Sequence, residues 1–368
     1  MASLTLDNVS KIYGAGAKQP LRAVDRVSLD VHDGEIVGLL GSSGCGKTST
    51  LRMIAGFESV SEGRILIDGQ PIQDLPPAKR RVAMAFEGYA LYPPLKVREN
   101  IGFALLREKR PAAQVDARVR EIAALLEIED ILDHYPSTIS AGQQQRTSLA
   151  RALIRMAPVS LLDEPMSQLE PQLRAILRAR IKDYLIDHKM TTVFVTHDQT
   201  EAIALADRIA VMEKGLLQQF APPAELKEHP SNLFVASFIG EPPMNIMDAT
   251  AVDGHATLLS VQNPAGKATF RVSLAGSSAR EELRPNQRYK LGIRAHRIVV
   301  GGAAGLGSGG AQPMGKVVSN QWLGDQTHLG LDVDGCFLIA VADGPVTARI
   351  GDELPIHLPE SALHLFAA

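Results

Sequence analysis

The chain has 368 residues, 45% of them hydrophobic and 21% charged, with a formal net charge of -3. That length allows two domains, or three, each burying its own core, and the composition is that of an ordinary globular chain. The near-neutral charge excludes a global basic field for nucleic acid, and two cysteines, Cys45 and Cys336, exclude a disulfide framework and point to a reducing cytosol.

In chain order, Met1–Asp7 lacks a basic region followed by an apolar core, so no signal peptide is expected. No apolar run approaches the roughly 20 residues of a membrane span. Leu4–Tyr13 alternates and ends on an aromatic, Val24–Val31 alternates again, and Asp33-Gly34 turns into an apolar strand over Glu35–Leu40. Gly41-Ser42-Ser43-Gly44-Cys45-Gly46-Lys47-Thr48 follows, with a helix expected from Ser49 to Ile54. Arg64–Gly69 reads as a short strand closed by a turn, Ala112–Leu126 has helical spacing, and Pro136 breaks the pattern before Ser140. Val159–Glu164 is a core strand ending in two acids, Leu173–His188 is helical, and Thr191–His197 is a further core strand. Such alternation argues a mainly parallel sheet covered on both faces. After about Phe238, past the linker-like Glu241-Pro242-Pro243-Met244, short alternating strands suggest a small β-barrel or sandwich, and Gly301–Gly310 is a flexible loop by composition.

The glycine-rich stretch carries the chemistry. Glycines at 41, 44 and 46 let the backbone bend tightly and turn successive N–H groups inward. With the positive end of the following helix they make a cradle for polyphosphate. Lys47 would reach the β- and γ-phosphates, and Thr48 would ligate Mg²⁺. Cys45 contributes its backbone, leaving its thiol sensitive to alkylation. Asp163 at a strand end can hold Mg²⁺, and Glu164 is placed to polarise the water attacking the γ-phosphate.

Ile139-Ser140-Ala141-Gly142-Gln143-Gln144-Gln145-Arg146 resembles the signature motif of ATP-binding-cassette (ABC) ATPases, usually written LSGGQQQR. That resemblance implies a P-loop ABC-type α/β nucleotide-binding domain, a mixed sheet with a helical subdomain, over residues 1–238, the subdomain at about 88–152. It implies ATP and Mg²⁺ as ligands. Tyr13 would stack on adenine, residues 41–49 through Ser49 would hold phosphate, and His197 would contact the γ-phosphate. Ser140, Ala141, Gly142 and Gln143 would bind the nucleotide held by a second cassette. Tyr89–Pro93 and Val97–Asn100 resemble the segment that docks a permease's coupling helix. Phe238–Gly240, Pro243–Asn245, Gly292–His296 and Leu363–Phe366 resemble the carbohydrate-importer branch, implying an all-β OB-like (TOBE) regulatory domain over 239–368. The implied partners are a second ATPase subunit, the same or different, two transmembrane permease subunits and an extracytoplasmic solute-binding protein, at the cytoplasmic face of the inner membrane. Few aromatics and no basic stripe put a nucleic-acid partner well below a regulatory role.

Three positions depart from the pattern. Glu87 stands where the family has the Q-loop glutamine; a carboxylate can bind Mg²⁺ but adds charge beside the γ-phosphate and donates no hydrogen bond. Ala141 replaces the first signature glycine, and Glu170 replaces the usual D-loop aspartate. Together Glu87 and Ala141 predict slowed or asymmetric hydrolysis.

Overall fold

The computed structural model describes residues 2–14, 16, 19–253, 257–275, 283–284, 287–301 and 313–367. Apart from Gly301, the expected glycine-rich loop at 301–310 lies outside the described residues. Two compact units divide the chain, Met1–His229 and Pro230–Ala368.

In the first unit, β1 (Leu4–Tyr13), β2 (Leu21–Val31), β4 (Glu62–Ile67) and β5 (Gln70–Pro71) form an antiparallel sheet in the order β2-β1-β4-β5. Their alternation buries one face, with Leu4, Leu6, Val27 and Ile65 inward. A second sheet has the order β10-β9-β3-β8-β7-β6, from β3 (Ile36–Gly41), β6 (Val82–Ala85), β7 (Val159–Asp163), β8 (Thr191–Thr196), β9 (Arg208–Glu213) and β10 (Leu216–Ala221). All its pairings are parallel except β9 with β10. Every residue of β3, β7 and β8 is buried, as expected of central parallel strands.

Helix α1 (Lys47–Ala55) lies in the apolar core shared by the two sheets, where its Leu51, Met53 and Ile54 join Leu4, Val24, Leu39 and Val193. It begins two residues earlier than the apolar pattern predicts, so Lys47 and Thr48 belong to its first turn. Helices α2 (Val97–Arg107), α3 (Ala112–Leu125) and α4 (Ala141–Leu153) form the helical insertion between β6 and β7. There Gly102 lets α2 and α3 meet closely, since a Cβ would stand 2.9 Å from Val115 Cγ1. Helices α5 (Pro171–Asp187), α6 (Gln199–Leu205) and α7 (Pro223–Glu228) complete the unit.

The second unit opens with α8 (Leu233–Phe238). The buried Arg294 guanidinium donates to the carbonyls of Ala236, at 2.9 Å, and Ile239. These bonds tie α8 to the strands that follow it, so the unit begins before the break expected at 238. One antiparallel sheet has the order β13-β12-β11-β14-β20, from β11 (Asn245–Ala251), β12 (Leu258–Gln262), β13 (Ala268–Ser273), β14 (Arg288–Ile293) and β20 (Leu363–Ala367). The other runs β15-β19-β16-β17-β18, from β15 (Val299–Val300), β16 (Met314–Trp322), β17 (Gln326–Val333), β18 (Cys336–Asp343) and β19 (Glu353–His357). They enclose one core, with Leu259, Leu291 and Ile293 against Val317, Leu329 and Leu338. Asn245 bridges them, accepting from Ile339 N–H at 2.7 Å and donating to its carbonyl at 2.9 Å. This is the expected all-β, barrel-like domain.

Candidate nucleotide site

The parallel strands bring their carboxyl ends to one edge, which is where ligands bind in such sheets. Leu40 of β3 pairs with Thr196 of β8, and Asp163 of β7 pairs with Val195. The phosphate loop after β3, the acids after β7 and His197 after β8 are therefore neighbours despite their distance in sequence.

Two glycines of the loop are obligatory for different reasons. A Cβ on Gly41 would stand 2.2 Å from the Met212 carbonyl oxygen of β9, so only glycine allows this approach. Gly46 has φ 105, and its Cβ would meet the Ala23 carbonyl at 2.4 Å. It is the residue preceding α1, whose first N–H groups have no intrahelical acceptor and face an anion naturally. Lys47 Nζ is buried and donates to the Gly41 and Ser42 carbonyls at 2.8 and 3.0 Å, folding its charge back over the loop. Cys45 is 2% exposed, its Sγ 3.7 Å from Lys47 Nζ. The thiol expected to be sensitive to alkylation is instead sheltered beneath the loop. Ser42, Ser43 and Gly44 form its exposed rim.

Thr48 donates its hydroxyl to Asp163 Oδ1 at 3.4 Å. Burial, then the nearby Glu87 carboxylate and Glu164, push the Asp163 carboxyl up to about 6, against the pull of Arg52 and Thr48. Glu87 follows β6, which pairs with β7 at Ala85 and Leu162, so the departure from glutamine places a second carboxylate beside the first. No group of three His, Cys, Asp or Glu among the described residues could hold a metal ion by itself. A hydroxyl and carboxylates leaving room for phosphate oxygens and water suit Mg²⁺, which is seldom caged by protein alone. The donor set fits that ion.

Glu164 leaves the strand with φ 50, an infrequent conformation for a residue with a Cβ, and its N–H donates to Val195 at 3.0 Å. The turn aims its carboxylate at the histidine, with Oε2 2.7 Å from His197 Nδ1. His197 itself is exposed on the surface.

Tyr13 ends β1 with its hydroxyl 3.3 Å from Ser49 Oγ of α1. The Lys11 ammonium lies over its ring, 4.9 Å from the centroid. The adenine candidate is thus beside the phosphate loop.

The signature residues stand apart from that loop, and among the described residues no hydrogen bond joins the two. Ser140 caps α4, its Oγ accepting from Gln143 N–H at 3.3 Å while its own N–H donates to Gln143 Oε1 at 2.9 Å. Ala141 is exposed, so its extra methyl burdens whatever docks there rather than the fold. Gly142 is the constrained one: a Cβ would stand 3.2 Å from the Gln168 carbonyl. Sequence reasoning missed Gln145, which is buried and donates to the Glu164 carbonyl at 2.8 Å and Ser167 Oγ at 3.0 Å. Its Oε1 accepts from Gln168 N–H at 2.9 Å. The readable signal was an amide one turn from Leu149 on an otherwise buried stripe.

Beyond Glu87 a cavity of about 500 Å³ opens, lined by Phe57, Phe86, Tyr89, Tyr92, Phe103 and Arg107 among others. Buried Asn100 shapes its rim, accepting from Tyr92 N–H at 2.8 Å and donating to the Leu95 carbonyl at 2.9 Å. Arg151 lies over Tyr92 and donates to the Ala90 carbonyl at 2.6 Å. No helix among the described residues is long and apolar enough to cross a membrane.

The ABC transporter family profile matches residues 24–167, and the TOBE domain profile matches 291–366. The xylose/arabinose import ATP-binding protein of Haloferax volcanii is 40% identical over 370 residues, covering 100% of this chain and 94% of that protein. The sn-glycerol-3-phosphate import ATP-binding protein of Paracoccus denitrificans is 44% identical over 258 residues, 70% of this chain and 72% of that one. A solved ATP-binding cassette, dimeric in a post-hydrolysis state with ADP and Pi, is 28% identical with a TM-score of 0.56, covering 60% of this chain and 98% of its own. With a phosphate loop, acid pair, histidine and signature helix in one unit and full-length likeness beside them, this chain belongs to the ATP-binding proteins of the ABC transporters, in the group that carries a TOBE domain.

Proposed function

We propose that this chain is the ATP-hydrolysing subunit of an importer for a sugar, a polyol such as glycerol, or a glycerol phosphate. The observation that carries the reading is the meeting of Lys47, Thr48–Asp163 and the Glu164–His197 pair at one sheet edge. The importer relatives, named for xylose/arabinose and sn-glycerol-3-phosphate, support the solute class.

In this reading residues 41–49 and Lys47 bind the phosphates and Tyr13 stacks on adenine. Thr48 and Asp163, with Glu87 beside them, would hold Mg²⁺, which would supply neutralisation of phosphate charge. Glu164 accepts a proton from the attacking water, and His197 orients that carboxylate and contacts the γ-phosphate. Ser140 through Gln143 serve the nucleotide of a second cassette, so ATP closes the dimer and phosphate release reopens it. The aromatic cavity beside Glu87 takes the cytoplasmic helix of one of two permease subunits, an amphipathic-helix-in-groove contact. An extracytoplasmic binding protein completes the system, and the chain works peripherally at the cytoplasmic face of the cell membrane.

Weighing the intact complex, purified with its membrane partners in mild detergent, tests this. Two permease chains with two cassettes are expected; a chain that recovers no membrane protein overturns the importer reading. One copy of this chain beside a different cassette makes the pair asymmetric, and two copies put Glu87 and Ala141 in both sites.

A second reading, a nucleotide-binding regulatory subunit with little turnover, is favoured by Glu87 beside buried Asp163 and by Ala141. Replacing Glu87→Gln removes one charge from that cluster and restores a hydrogen-bond donor. Steady-state ATPase should rise by about 3- to 10-fold, equivalent to roughly 1 kcal/mol of barrier. An unchanged rate would mean that Glu87 does not tune the site.

A further inference from the structure

Glu201, in the first turn of α6, is 3% exposed. Its Oε2 accepts from the Thr196 hydroxyl at 2.8 Å, and its N–H donates to Asp198 Oδ1 at 3.0 Å. Thr196 Oγ1 in turn accepts from Asp198 N–H at 3.0 Å. Thr196 and Asp198 are the two neighbours of His197. The carboxyl therefore holds Thr196 directly and reaches Asp198 through the Thr196 hydroxyl, while its Oε1 is buried with no hydrogen-bond partner among the described residues. Asp198 is anchored further, its Oδ2 accepting from Arg174 at 3.1 Å, and Arg174 also donates to the Leu169 carbonyl at 3.1 Å.

We propose that Glu201 is a positioning residue for hydrolysis: through Thr196 and Asp198 it sets the turn that presents His197 to Glu164. The inference rests on reading Glu164 as the base. Glu201 touches neither nucleotide nor water in this scheme and acts only through the histidine turn.

Its charge state matters because of what surrounds it. Facing Glu201 are Asp198 from its own helix, Glu164 after β7, Arg174 from α5 and the Thr196 hydroxyl at the end of β8. Burial above all pushes its carboxyl up to about 7; Asp198 and Glu164 add to the rise, while Thr196 and Arg174 oppose it. Below that pH the group is neutral and the Thr196 hydroxyl still finds its acceptor. Above it, a buried negative charge grows beside two other carboxylates, with nothing among the described residues donating to Oε1. Turnover should therefore fall on the alkaline side.

The test is phosphate release by the full-length chain purified with its membrane partners, as a function of ATP and from pH 6 to 8.5. Glu201→Ala should lower kcat by about 10- to 100-fold with KM for ATP little changed, the pattern of a misplaced group rather than lost binding. Glu201→Gln keeps an uncharged acceptor, so it should recover most of the rate and lose the alkaline decline. Thr196→Val removes the same hydrogen bond without opening a cavity and should match the alanine variant, which covers the case that Glu201→Ala does not fold. A wild-type rate in Thr196→Val, a glutamine variant as slow as the alanine one, or an alkaline limb that survives in Glu201→Gln each overturns the proposal. Glu164→Gln measured alongside separates the two levels. Its loss of turnover with no loss in the Glu201 and Thr196 variants overturns this inference alone. Its full activity removes the base assignment, and this inference with it.

Discussion

A Glu164→Gln variant should bind ATP, hold the cassettes closed on it, and hydrolyse it about 10²- to 10⁴-fold more slowly, the usual worth of a positioned general base. The amide keeps the volume of the carboxylate and can still meet His197 Nδ1, now 2.7 Å from Glu164 Oε2. It cannot accept a proton from water. The backbone should not change, because the φ of 50 at Glu164 is held by its N–H bond to Val195 and by Gln145 on its carbonyl. Trapped nucleotide and dimer mass, read together with single-turnover hydrolysis, check this. Full steady-state turnover in a complex where this subunit's site is the only intact one would sink the assignment.

Gly41→Ala should be nearly as damaging by another route, with nucleotide affinity lowered by about 10²-fold, the scale of a 1 Å misplacement in a preorganised site. The new methyl would stand 2.2 Å from the Met212 carbonyl and 2.7 Å from Cys45 Sγ. Backbone of a buried strand cannot yield as a flexible side chain would, so the loop must move outward, carrying Lys47 with it. Gly44→Ala is the control: its Cβ meets no atom within 4 Å, and only the φ of 77 resists it, at about 1–2 kcal/mol. Titrating a fluorescent ATP analogue into both variants should show a large loss in the first and a small one in the second. Equal affinities would mean that close approach to β9 does not shape the loop.

The glycine-rich loop and the family it belongs to were legible from local pattern because such a loop is built locally. Gly41 through Thr48 run from the end of one strand through a tight loop into the first turn of the next helix, so their spacing could be read without any distant contact. Val159–Asp163 and Thr191–Thr196 announced themselves as buried strands by their unbroken apolar runs. The two-part organisation was readable too, since helical spacing gives way to short alternating strands. Its edge was not: α8 belongs with the second unit because Arg294, far along the chain, donates to its terminal carbonyls.

Tertiary structure alone decided which groups face one another. Parallel pairing of β6 with β7 sets Glu87 beside Asp163, and that adjacency turns a single substitution into a cluster of charge. Gln145 and Glu201 read as ordinary polar residues on helices until burial at 3% makes each amide and carboxyl answer for its hydrogen bonds. Sequence alone located the glycine-rich loop, the buried strands and the order of the two domains, because these depend on short stretches of backbone with intrinsic preferences. The electrostatics of the metal candidates, the shelter of Cys45 and the hold on His197 depend on desolvation and on contacts across strand order, which no local stretch encodes.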